Sequence, residues 1–392
     1  MQNYSSELKV FLRKVAKFVS PLILLLLALE LIGYRSGELI PVREVAKLQA
    51  ASGEELLYER GLVTQGQAEF KLIQLSVRRP EVVMLGSSRV LEFRKEVLPE
   101  MNSFYNAGGL TRSVEEVASF FDTVPAGYSP KILFVGIDSF WFDDKNSPSH
   151  SNAPGAFSDD EVSSPEAHWY VMRSIGKMAF TNPRQLWQIV VGRDALTGLR
   201  AIGVSALSGS GFRNDGSFQR GKEIIYRRQF PSYGDTEVPP IMERVLMGLG
   251  QFPHGGRALP ERLTEMERFL ASARARGVYV IGFLPPYSHE VYRELASSPN
   301  FKNSFPVTRA ALVRIFRESN YPLYDFSDLD TLNMSDDFLF DGLHITETGA
   351  ARLMLDMLTK EADKIGISEA ALNKLKSISE SPETTPTELD LR

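Results

Sequence analysis

The chain has 392 residues, enough for two average domains or one large α/β domain, and its 43% hydrophobic and 24% charged shares exclude a collagen, a coiled coil and a wholly disordered polymer. With 44 basic against 49 acidic residues the net charge is −5, and no basic patch stands out, so nucleic acid is not expected as a partner. The absence of cysteine excludes disulfides, thiolate metal sites and a thiol nucleophile.

Lys9, Arg13, Lys14 and Lys17 precede an apolar run, FVSPLILLLLALELIG, from Phe18 to Gly33. Counted from Val15 it is 19 residues long, close to the about 20 that a membrane span needs. The block LILLLL has no polar face, and no small-residue cleavage site follows Leu31. Residues 1–35 therefore read as a cytoplasmic stub and an uncleaved signal anchor. The basic flank keeps the N-terminus in the cytoplasm, and the rest of the chain is expected on the periplasmic or extracellular side of the cytoplasmic membrane. A soluble intracellular protein would require this segment not to insert.

Residues 36–78 form a polar connector with helical patterns, the first around EVAKLQAASGEELLYERG. Five short apolar runs follow, at 81–86, 103–108, 131–137, 278–284 and 321–326, each continuous and rich in β-branched or aromatic residues. Such runs suit strands buried on both faces, and helical patterns fall between them: VEEVASFFDTV, LPERLTEMERFLASARARG and FPVTRAALVRIFRES. The expected class is α/β, a three-layer α/β/α sandwich with a parallel sheet of about five strands, spanning residues 79–376. A large insertion at about 139–257 should be a lid or a partner-binding subdomain. The tail, 377–392, is Ser, Pro, Thr and acid, and is expected to be disordered.

Candidate chemistry lies at the ends of these strands, where open parallel sheets collect reactive groups. Gly86-Ser87-Ser88-Arg89 follows the first strand, where a helix should begin. A serine on that sharp turn exposes its hydroxyl; the plain alternative is a helix cap. Asp341-Gly342-Leu343-His344 precedes the helical stretch ITETGAARLMLDML. An Asp three residues before a His can fix the imidazole tautomer and leave the other ring nitrogen to take a proton, as a serine nucleophile needs; a surface turn would read the same way. Asn106-Ala107-Gly108-Gly109 ends the second strand and Gly136-Ile137-Asp138 the third, and glycine N–H groups there suit an oxyanion hole. His289 is a reserve base, while His150, His168 and His254 are scattered in the insertion. Arg89 is a candidate for holding an anionic or sugar substrate; Arg213 reads more simply as a solvated arginine. No metal site is expected, since HisGluValTyrArg lacks a second His, and no nucleotide cofactor, since no phosphate-binding loop is present.

Taken in order, these blocks resemble the SGNH (GDSL-like) hydrolase and acyltransferase family over about residues 80–140 and 275–360. By resemblance Ser88 is the nucleophile, Gly108 (after Asn106) the second-block glycine, and Asp341 and His344 the final Asp-x-x-His; Leu284-Pro285-Pro286 matches the family's strand-then-proline segment. The family's third block supplies an Asn to the oxyanion hole, where this chain has Asp138. A carboxylate suits an oxyanion only when protonated, so the hole would otherwise rest on the N–H groups of Ser88 and Gly108. An N-terminal anchor with Gly-Ser-Ser is similar to extracytoplasmic members that modify cell-envelope polymers beside a membrane-bound O-acyltransferase. The resemblance implies an acyl, in particular O-acetyl, transferase or esterase acting on a cell-envelope or extracellular polysaccharide through a serine acyl-enzyme. Asp138 keeps open an alternative: a catalytically silent scaffold of a polysaccharide modification or export complex.

Overall fold

The structure is a computed structural model that describes residues 2–62, 67–101, 103–146, 164–191, 200–207, 209–220 and 240–380. In chain order the N-terminal half holds α1 (Gln2–Ser36), α2 (Val42–Ala51), β1 (Leu56–Tyr58), α3 (Gln67–Arg78), β2 (Val82–Gly86), β3 (Phe104–Gly108), α4 (Val114–Ala118), α5 (Phe120–Thr123) and β4 (Ile132–Gly136). There follow α6 (Pro165–Thr181), α7 (Pro183–Val191), β5 (Arg200–Ile202), α8 (Val204–Leu207), β6 (Gly211–Phe212), β7 (Phe218–Gln219), α9 (Ile241–Met247), α10 (Pro260–Ala275) and β8 (Tyr279–Leu284). The chain continues through α11 (His289–Ser297), α12 (Phe305–Glu318), β9 (Leu323–Asp325), α13 (Glu347–Ile365) and α14 (Glu369–Ser379).

The chain forms two compact units. The second, Gln67–Ser151 with Phe212–Arg392, is built on a five-stranded all-parallel sheet in the order β3-β2-β4-β8-β9. All five apolar runs are strands, within two residues of the expected bounds. The reason is burial: β2 and β3 are buried at every position, which only a sheet covered on both faces allows. Alternate residues go to two cores. Val83, Leu85, Leu133, Val135 and Val280 pack with Val117, Phe121, Phe269 and Leu312 of α4, α5, α10 and α12. Met84, Phe134, Ile281 and Phe283 pack with Leu353, Met354, Met357 and Leu375 of α13 and α14. Because the chain steps from β2 to β3 on one side and then to β4 on the other, the switch of direction lies at the carboxyl end of β2.

The first unit joins Met1–Gly66 to Asn152–Gly211. Its α1 contains one segment, Glu7–Ser36, long and apolar enough to cross a membrane. Gly33 lets α6 approach: a methyl built there would sit 2.9 Å from Val171 Cγ1, and Leu39, Val171 and Ile175 close the contact. The buried Glu38 carboxylate accepts the N–H groups of Gly61, Leu62 and Val204, stapling the segments on either side of the short parallel pair β1 and β5.

Three details differ from the sequence pattern. The helical stretch around residues 44–61 ends at Ala51, and Leu56–Tyr58 is a strand, all three residues buried. The stretch 139–257 divides between the two units. At the C-terminus α14 runs to Ser379, its N-cap Ser368 bonded to Ala371 N–H, while the rest of the tail from residue 381 lies outside the described residues, as does His150.

Candidate active site

At the end of β2 the chain enters a three-residue 3-10 turn, Ser88–Val90, capped by the Ser87 hydroxyl, which accepts the Arg89 N–H. This replaces the α-helix expected there, so no helix dipole backs the serine. Val90 explains the strand-end glycines. A methyl on Gly86 or Gly108 would lie 3.0 or 2.9 Å from its side chain, and one on Gly136 would collide with it. Three strand ends thus lack side chains where Val90 seats, and the turn is held with Ser88 exposed beside it.

His344 comes from the loop between β9 and α13. An antiparallel bridge between Leu339 and Ile345 and the bond from Phe340 N–H to His344 O shape this loop. Gly342, at φ +84, makes the turn that a side chain would strain, and its carbonyl accepts the Ser288 N–H at 3.1 Å. The Asp341 carboxylate accepts the Leu343 and His344 N–H groups at 3.1 and 2.9 Å through one oxygen and faces His344 Nδ1 at 2.8 Å with the other. Across 256 residues of chain, His344 Nε2 stands 2.9 Å from Ser88 Oγ. Burial alone would favour a neutral Asp341, but the hydrogen bond and charge of His344, with the two backbone donors, hold its carboxyl well below the usual carboxylate range. Asp341 is therefore an anion that fixes Nδ1–H on the imidazole and leaves Nε2 to accept the serine proton.

Two buried arginines tie the serine turn to the histidine loop, and sequence reasoning missed this. Arg89 is 3% exposed: Nε donates to Leu343 O at 3.2 Å, Nη1 to Asp138 at 2.8 Å, Nη2 to the Pro285 and Pro286 carbonyls, and the guanidinium lies 4.2 Å from the Tyr287 ring centre. Arg94 pairs with Glu347, three residues after His344, also buried. The expectation that Arg89 meets substrate gives way to an internal role, because its packed nitrogens face backbone and Asp138.

The expected oxyanion hole changes as well. Gly108 N–H donates to Asn106 Oδ1 at 2.7 Å, and Asn106 Nδ2 donates to Val90 O and Phe93 O, so this side chain is a staple for the serine turn and its glycine N–H is occupied. Gly109 N–H is bonded to Gly86 O and Ser87 O. Asp138 is wholly buried and paired with Arg89, an anion neutralised from within. Of the expected donors, Ser88 N–H has no hydrogen-bond partner among the described residues.

The remaining candidates sit elsewhere. His289, the reserve base, has both ring nitrogens against carboxylates, Asp336 at 2.8 Å and Asp330 at 3.1 Å. Arg213 is 8% exposed and pairs with Glu96. His168 pairs with Glu30, and His254 bonds Val245 O. Among the described residues no group of three or more His, Asp or Glu is placed to hold a metal ion.

Compared with known proteins, the chain matches no family model and no curated protein sequence.

Proposed function

We propose that the protein is a membrane-anchored serine acyltransferase or esterase with a three-layer SGNH-like fold, acting on ester-linked acyl groups, O-acetyl above all, of a cell-envelope or extracellular polysaccharide. The observation that carries this reading is the Ser88–His344–Asp341 relay at the carboxyl end of a parallel sheet, with hydroxyl-to-imidazole and imidazole-to-carboxylate distances of 2.9 and 2.8 Å. The Ser88 hydroxyl attacks the ester carbonyl as His344 Nε2 takes its proton, and the imidazolium is stabilised by Asp341. The same imidazolium returns the proton to the departing alkoxide. A sugar hydroxyl or water, deprotonated by His344, then attacks the acyl-serine and releases it. Of the donors expected from the sequence, the Ser88 N–H is the one free to meet the carbonyl oxygen. The anchor is α1, and a membrane-bound O-acyltransferase is the partner that would supply acyl groups.

A fluorophosphonate probe tests the core of this reading: it should label the full chain and leave Ser88→Ala unlabelled. Equal labelling of both would end the assignment of Ser88. The second reading, a silent scaffold, is favoured by the occupied Gly108 N–H and the locked Asp138. It stands if Ser88→Ala and His344→Ala both restore polymer acylation fully in a deletion strain.

A further inference from the structure

Two helices of the first unit present a face that the reading above does not use. On α6, Trp169, Arg173, Lys177 and Phe180 recur at spacings of four, four and three residues and are all exposed, so they form one stripe. On α7, Arg184 and Trp187 are exposed as well. The aromatic members are far from buried: Trp169 is 58%, Trp187 62% and Phe180 90% exposed. Arg173, Lys177 and Arg184 have no ion-pair partner among the described residues, and the two helices carry a single acidic residue, Glu166.

The place of this face on α1 says what it meets. Val171 touches α1 at Gly33, where the apolar run ends; His168 pairs with Glu30, Leu186 of α7 and Leu29 and Ile32 of α1 pack on the same buried cluster, and Arg35 reaches Val191 O at 3.5 Å. Both helices are thus fixed at residues 29–35 of α1, the level at which a spanning α1 leaves the hydrocarbon. Tryptophan at that level rests its ring at the headgroup boundary, and unpaired Lys and Arg beside it attract anionic lipid.

We propose that α6 and α7 lie on the membrane surface, with Trp169, Trp187 and Phe180 at the acyl boundary and Arg173, Lys177 and Arg184 on anionic phospholipid headgroups. This rests on α1 being a membrane anchor and adds a second, surface-bound contact to it. The contact fixes the rotation of α1 about its axis, which one helix alone leaves free.

The chain has three tryptophans, and Trp141 is 2% exposed in the other unit, an internal reference. The full chain is reconstituted into phosphatidylcholine vesicles with and without phosphatidylglycerol, using lipids brominated near the headgroup end of the acyl chain. Flotation with the vesicles reports the anchor independently. Expected are flotation, strong quenching of the wild type, and loss of that quenching in W169F/W187F, where only Trp141 emits. R173E/K177E/R184E should lose quenching in the anionic vesicles. Flotation without quenching would overturn the surface contact and leave the anchor standing, and a chain that does not float would overturn both. Quenching unchanged by the charge reversal would overturn the anionic-lipid part.

Discussion

On the proposed reading Asp138→Asn supplies the amide that an oxyanion hole could use, yet the structure predicts harm. Asp138 and Arg89 are 2.8 Å apart with side chains 1% and 3% exposed, so neither can turn to water when the other loses its charge. At an effective dielectric of 20, two unit charges about 4 Å apart attract by about 4 kcal/mol. The amide keeps an acceptor for the guanidinium, and a hydrogen bond to a charged group returns about 1.5–3 kcal/mol. The net loss is then about 2 kcal/mol, below the about 3–5 kcal/mol of deleting a partner outright. The new NH2 gains nothing, since Asp138 Oδ2 has no hydrogen-bond partner among the described residues. Guanidinium unfolding of the full chain in detergent measures the loss. Fluorophosphonate labelling should slow as well, because Arg89 Nε holds Leu343 O next to His344. Arg89→Met alone should cost more, and the double variant less than the sum of the two. An Asp138→Asn protein as stable as wild type and labelled faster would refute the pairing and return residue 138 to the oxyanion hole.

Asp341→Asn should cut the labelling rate by about 10⁴-fold while Ser88 remains in place, because the amide favours the wrong imidazole tautomer. The Asp341 carboxyl is held below its unfolded value, so its contribution to stability is complete above about pH 4 and is lost as the pH falls through the folded value; the acid limb of a stability profile should flatten in this variant. Gly136→Ala should push Val90 off the strand ends, and its added methyl also lies 3.1 Å from Phe283 Cζ, so labelling should fall together with stability. Lys71 offers a second pH test, with the same sign of slope in an alkaline window. Burial pushes its ammonium down from 10.5 to about 7 against the pull of Asp215, and the ammonium donates to Asn106 O and Gly216 O. Between about pH 7 and 10 the unfolded chain holds the extra proton, so stability rises with pH there, and below 7 the slope vanishes. The difference between wild type and Lys71→Met, by denaturant midpoint across that range, should carry this slope. A parallel pair of curves would show Lys71 to be solvated.

Strands buried on both faces write themselves as uninterrupted apolar runs, which is why the sheet was legible and why Ser88, Asp341 and His344 could be placed at its rim. The glycines were visible but their work was not. Gly86, Gly108 and Gly136 read equally well as N–H donors or as gaps, and only the seat of Val90 decides between them. Arg89 and Asp138, 49 residues apart, carry no local signature that they pair; an arginine beside a candidate nucleophile looks the same whether it faces substrate or core. Leu56–Tyr58 was lost for another reason: a three-residue strand is too short to break a helical period, and β5, its partner in the parallel pair, lies well over 100 residues further on.

The first unit is woven from two distant stretches of chain, and that constrains how this protein can be simplified. Cutting away the first 36 residues to obtain a freely soluble body would strip α6 and α7 of Leu29, Ile32 and Gly33, leaving the cluster of Val171 and Ile175 with only Leu39, Leu62 and Leu186 to cover it. A trimmed protein of that kind would trade one greasy segment for another, and its aggregation would say nothing about the sheet-bearing part.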